Sequence, residues 1–172
     1  MEQAKRPVTG LAGRYGHPLH PALVAVPIGA WVASFLFDLG SHVGSEPAVL
    51  ATGSRWLIGI GVLGALTAAT VGLLDLLALP PGTRVFRTAI VHMSLMLTVV
   101  TGYVVGFVLR DPDPTGPVPA GLLALSAAGL ATLTAGAYLG GMLAYRYGVL
   151  VADETTQADG YQPLSTDTKK ES

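Results

Sequence analysis

A few residues of this chain could do chemistry in surroundings where ionisable groups are rare: His20, Asp38, Asp75 and His92. Each lies inside or at the edge of a long apolar run, where such a group is costly and usually marks function or a partner. A neutral imidazole ligates haem iron, and its proton affinity lies near neutral pH. Histidines at one depth on two helices therefore suit a b-type haem held in a bundle core. His20 and His92 are the candidate ligands, for haem b or for a metal if one is bound, and His17 is the alternative ligand. Arg84 and Arg87 could meet the haem propionates, with Asp75 supporting the ligands from behind.

Two other readings use the same residues. In one, the layer is structural: Asp75 pairs with Arg84 or with a histidine and merely ties helices together. In the other, His20, Asp75 and His92 relay protons or ions, although no polar chain continues through the middle of the membrane. A second, looser group comprises Asp38, His42, Arg55 and Arg110. Asp38 with Arg55 or Arg110 reads most simply as a structural ion pair closing the bundle. His42 has no second histidine at its depth, which argues against another bis-histidine haem. No nucleophile–base set emerges, so no catalytic residue is assigned and the chain reads as a non-enzyme by itself.

Bringing these residues together requires four membrane spans. A helix needs roughly 20 apolar residues to cross about 30 Å of hydrocarbon. Stretches free of Asp, Glu, Lys and Arg occur at Tyr15–Phe37, Trp56–Leu74, Thr88–Leu109 and Pro114–Tyr145. Between them stand Gly40 to Pro47, Pro80-Pro81-Gly82 and Asp111-Pro112-Asp113-Pro114, which end helices and make turns. The expected fold is an all-α integral membrane protein, a four-transmembrane-helix bundle. A cytoplasmic N-terminal segment (1–14) precedes the transmembrane domain (15–147), whose spans fall at about 21–39, 56–79, 89–109 and 119–145. Residues 148–172 are polar and read as a disordered cytoplasmic tail. The first apolar stretch exceeds a signal-peptide core and no convincing cleavage site follows, so it reads as a retained helix.

With the N-terminus inside, Lys5, Arg6, Arg14, Arg84, Arg87, Arg146, Lys169 and Lys170 fall on the inner side, against Arg55 and Arg110 outside. That bias puts both termini on the cytoplasmic side of the membrane. It also places His20, Asp75 and His92 in one layer near the cytoplasmic end. Around each helix, Asp75 shares a face with Gly61, Gly64, Ala68 and Gly72, and His92 shares a stripe with Met96, Val99, Tyr103, Gly106 and Arg110. Gly102 with Gly106, and Gly136 with Gly140, have the small-xxx-small spacing that lets helices approach closely in lipid. Pro27 inside the first span predicts a kink. Gly59, Gly61 and Gly64 spell a GxGxxG pattern, but no strand precedes it, so packing is its better explanation.

Composition narrows the classes further. Only 12% of the 172 residues are charged while 51% are apolar, and the mean hydropathy is +0.54. So little charge cannot cover a soluble domain of this size, so a lipid-facing surface is indicated. A net charge of −1 favours no nucleic-acid partner, and the absence of cysteine removes thiol catalysis and Cys-ligated centres. A transporter is disfavoured because the chain is short, shows no evident repeat and has no charge at mid-membrane.

The segment Gly16-His17-Pro18-Leu19-His20-Pro21-Ala22-Leu23-Val24 leads into Pro27-Ile28-Gly29-Ala30-Trp31 and Phe35-Leu36-Phe37-Asp38-Leu39. Together with Gly72-Leu73-Leu74-Asp75 and His92 it resembles a bacterial family of predicted four-helix membrane proteins of unknown function with an HPLHP-type first helix. The resemblance covers roughly residues 14–147 and carries no activity. It implies His17, His20, Asp38, Asp75 and His92 as the residues of interest. Some relatives appear joined to Rieske iron–sulfur domains, which implies electron transfer with a redox partner and favours the haem reading. The expectation is thus a small redox-associated subunit in the lipid bilayer, alone, as a homo-oligomer or with a redox protein; the alternative is a scaffolding membrane protein.

Overall fold

The computed structural model describes residues 2–161 and is almost wholly helical. After two short 3-10 turns comes a small antiparallel pair, β1 (Gly13–Arg14) against β2 (His17–Pro18), with Gly13 opposite Pro18. The helices follow as α1 (Leu19–Leu23), α2 (Ala25–Val43), α3 (Pro47–Leu77), α4 (Arg84–Leu109), α5 (Ala120–Gly141) and α6 (Glu154–Asp159). A wider π-type turn, Met142–Arg146, extends α5. Four helical stretches are long and apolar enough to cross a membrane: Leu19–Val43, Pro47–Leu77, Arg84–Leu109 and Ala120–Arg146.

Local chemistry accounts for the boundaries. Pro27 has no N–H to return to the carbonyl of Leu23, and the first span is interrupted at Val24, between α1 and α2. Pro47 opens α3 as a first-turn proline, well before the position near 56 at which the apolar run begins. Trp56 and the residues before it are helical because that turn is already started, and α3 reaches about 46 Å at 1.5 Å per residue. Gly82, at φ +79°, turns the chain into α4, where the Thr83 hydroxyl caps by accepting from the Phe86 N–H at 3.2 Å.

Helix α2 packs most extensively on α3, and α4 on α5, giving two helical hairpins. The hairpins meet through α3 with α4 and α2 with α5, so α2 and α4 face each other across the diagonal. The core is Trp31, Ile58, Ala65, Val99, Tyr103 and Leu133. Between 17 and 22% of each span's most apolar window is buried, so most apolar side chains point outward, as a lipid-facing surface requires. Hydroxyls on that surface are satisfied within their own helices. Thr67 donates to Leu63 O, Ser94 to Ile90 O, Thr98 to Ser94 O and Thr132 to Ala128 O, each at 2.9–3.0 Å.

The glycine face of α3 receives the first span. A Cβ on Gly61 would overlap the Trp31 indole, and one on Gly64 would lie 2.8 Å from Val26 Cγ1. On α5, a Cβ on Gly136 would overlap the Met96 methyl. Gly102 and Gly106 of α4 instead meet only the Leu125 side chain, at 4.0 and 3.6 Å.

Residues 148–161, read from the sequence as part of a disordered tail, are folded back on the N-terminal segment. The Leu150 N–H donates to Ala4 O at 2.9 Å and its side chain is buried. Tyr15 donates its hydroxyl to Asp153 Oδ2 at 2.7 Å and accepts the Asp153 N–H at 2.8 Å. The Asp153 carboxylate also accepts from the Thr155 hydroxyl and the Thr156 N–H, and these bonds, with that of Tyr15, hold it well below the usual carboxylate range. Because the folded value is the lower one, this latch is intact above the ordinary carboxylate range and weakens as pH falls through the folded value. The rest of the expected tail, with Lys169 and Lys170, lies outside the described residues.

The Gly61 contact makes a clear test. Gly61→Ala forces Trp31 from its seat and should cost about 1–3 kcal/mol. Gly29→Ala, where no atom lies within 4 Å of the added carbon, should leave thermal unfolding in detergent unchanged.

Candidate functional site

One end of the bundle carries the histidine layer. His20 stands in α1 and is half-buried; its Nδ1 donates to Ala68 O at 2.9 Å, across to α3. A Cβ on Gly72 would lie 2.9 Å from His20 Cε1, so the ring rests on bare backbone. His92 in α4 repeats the arrangement. Its Nδ1 donates to Gly136 O at 2.8 Å, and a Cβ on Gly140 would lie 3.2 Å from its Cε1. A carbonyl only accepts, so each Nδ1 carries the proton and each neutral ring keeps a lone pair on Nε2.

Asp75 lies on the same face of α3 as Gly72, and its Oδ1 is buried without a hydrogen-bond partner. It forms no ion pair with Arg84 or with a histidine, contrary to the structural pairing read from the sequence. Arg84 and Arg87 begin α4 at this end and are exposed. His17 is exposed in β2, opposite Arg14, and does not join the layer. Among the described residues, no three His, Cys, Asp or Glu side chains form a group able to hold a metal ion by themselves. Each imidazole keeps one free ring nitrogen, the kind of donor that a bis-imidazole haem would need, and Asp75, with its orphaned oxygen, lies one helical turn beyond the Gly72 seat of His20.

At the opposite end all four long helices meet in a buried polar knot. Asp38 of α2, fully buried, receives Arg110 Nη2 on Oδ2 at 2.6 Å, the Ser126 hydroxyl of α5 on the same oxygen at 3.0 Å, and the Ser54 hydroxyl of α3 on Oδ1 at 2.5 Å. Arg110, which ends α4, also donates to Ser126 Oγ at 3.0 Å. Ser41 donates to Asp38 O at 2.7 Å and accepts the Val118 N–H at 3.1 Å. Arg110 Nε and Nη1 are buried without partners. Arg55 takes no part in this knot. Its guanidinium lies over the Phe107 ring, 4.3 Å from the centroid, and His42 is exposed.

Between the two ends, Trp31 and Tyr103 stack across the diagonal with centroids 4.1 Å apart and planes 4° from parallel. Trp31 Nε1 donates to Ile58 O and the Tyr103 hydroxyl to Ser126 O, each at 3.4 Å. Neither this stack nor the serines of the knot emerged from the sequence. Aromatic residues on apolar helices look like ordinary core, and nothing local marks a serine that accepts a buried charge.

A family model described as a predicted membrane protein, DUF2231, matches residues 16–153. The chain belongs to that family. The match takes in both ends of the DUF2231 bundle and stops at Asp153, the residue latched to Tyr15. No curated protein and no solved structure matches the chain.

The polar knot of this DUF2231 protein sets a steep cost for breaking it. Asp38→Ala strands a buried guanidinium and should cost about 3–5 kcal/mol in thermal unfolding, whereas Asp38→Leu combined with Arg110→Met should recover most of the loss.

Proposed function

We propose that this protein is a redox-associated subunit of a bacterial plasma membrane that binds one haem b through His20 and His92, in a membrane where both chain ends face the cytoplasm. The observation that carries the reading is the matched tautomer. Each Nδ1 is taken up by a backbone carbonyl, which leaves both Nε2 atoms free in one layer. Such a second bond orients an imidazole and raises its basicity as a ligand. Bis-imidazole ligation needs only these two side chains. Arg84 and Arg87 stand at the same end for the propionates, and the Asp75 carboxyl is left over for a hydrogen bond near the ligands. Electrons would pass to a redox protein at the exposed end, the chain itself supplying no catalytic group. A homo-oligomer is compatible with the same site.

A second reading also has its own observation: the two Nδ1 bonds join α1 to α3 and α4 to α5, so the histidines are sufficient as ties within each hairpin. In that case the protein is a scaffold. A proton or ion relay through His20, Asp75 and His92 has less support, because between the layer and the knot stands the stacked apolar core.

Purification after expression with ample haem supply separates these readings. The haem reading expects a Soret band and bound iron, lost in both His20→Ala and His92→Ala. A colourless, iron-free protein whose variants merely melt earlier supports the scaffold instead, and full haem content in His92→Ala overturns the ligation.

Orientation has a separate test. The chain has no native cysteine, so Gln157→Cys should resist, and Ser45→Cys accept, a membrane-impermeant thiol reagent applied to intact cells. The reverse pattern would invert the proposed topology.

A further inference from the structure

We infer that the bundle is an internal duplication: the hairpin α1–α3 and the hairpin α4–α5 are two copies of one unit, and the inner face of each is built to receive a second copy of itself. The apparent lack of a repeat in the sequence is thereby corrected. The argument rests on position. Asp38 and Arg110, bonded across the diagonal, are 72 residues apart. The same interval separates Trp31 from Tyr103, which stack, and His20 from His92, each of which rests on a glycine of its own hairpin. Buried residues of the two helices keep that register, Pro27 with Val99 and Ser34 with Gly106. When two copies face each other about a two-fold axis, residues on the axis meet their own counterparts. Two levels of this bundle do so, the ion pair and the aromatic stack, and the histidines keep the same interval.

The return helices agree, at an interval of 68. The Trp31 ring is seated on Gly61 and the Tyr103 ring on Gly129; the His20 ring on Gly72 and the His92 ring on Gly140. Trp31 donates to the carbonyl of Ile58 and Tyr103 to that of Ser126. His20 donates to the carbonyl of Ala68 and His92 to that of Gly136. Eight contacts made by four rings thus match as four pairs. The change of interval from 72 to 68 is about one helical turn, so no single offset aligns the whole unit, and few residues are identical. Parallel repeats about an axis along the membrane normal are an established membrane architecture. Here the axis would run through the aromatic stack and the ion pair. A first hairpin facing another first hairpin would oppose two buried carboxylates, so the charge pair also sorts unlike copies together.

Equivalent seats should accept each other's side chains. The full-length chain would be compared as Trp31→Tyr, as Tyr103→Trp and as both together, by thermal unfolding and tryptophan fluorescence. Each single change alters the volume at the stack, and the exchange restores it onto a second glycine seat with an equivalent carbonyl. Duplication expects the exchanged chain to melt at or above the better single variant, within about 5 °C of the parent, a shift of the size expected for a small repacking cost. It also expects the blue-shifted emission of a buried indole. An exchanged chain that melts below the better single variant, or shows a solvent-exposed indole at position 103, overturns the equivalence. If Tyr103→Trp alone fails to fold, Trp31→Tyr sets the comparison.

Discussion

A carboxylate completely removed from solvent is costly unless it is paired and hydrogen-bonded, and Asp38 of α2 is such a group. Its charge is tolerable only because a donor comes from each of the other three long helices: Ser54, Arg110 and Ser126. Much follows from that requirement. Arg110 must end α4 at the level of Asp38, which sets the register between α2 and α4. Ser126 must lie beside both, which sets the position of α5. With that end determined, the stacked rings and the histidines follow at the same intervals along the first span and α4. Apolar packing alone would tolerate sliding in lipid, where neighbouring helices gain little from excluding one another's side chains from hydrocarbon.

How much of this could be read from the sequence differs by feature. Long charge-free runs and clustered Pro and Gly made four helices plain. The α3 glycine face was legible because small residues recur at helical spacing, and it does receive Val26 and Trp31. Asp38 and Arg110 stood out as charges at the edges of spans, but choosing Arg110 over Arg55 required knowing which helix lies opposite. Arg55 had an aromatic ring to cover it, and no pattern in the sequence marks a ring as a partner for a cation. The start of α3 at Pro47 was hidden because Arg55 interrupts its charge-free run, so the stretch that stood out began only at Trp56. The fold-back of residues 148–161 depends on Tyr15, far away in sequence, and polar composition alone cannot reveal a long-range tie.

Hydrogen bonding is divided unevenly between the two ends. At the knot, bonds cross from one hairpin to the other. At the histidine layer they stay within each hairpin, His20 to α3 and His92 to α5. Each histidine ring is thus oriented from behind by its own hairpin, and the two ends of the bundle are tied in different ways.

What does join the hairpins near the histidines is the latch of Tyr15 to Asp153, whose partners lie 138 residues apart. During synthesis, Tyr15 leaves the ribosome long before its partner exists, and all four long helices must be made first. The ion-pair end can assemble once Ser126 is in place, whereas the histidine end is completed only by nearly the last of the described residues. The latch is therefore the last of these ties that the growing chain can make.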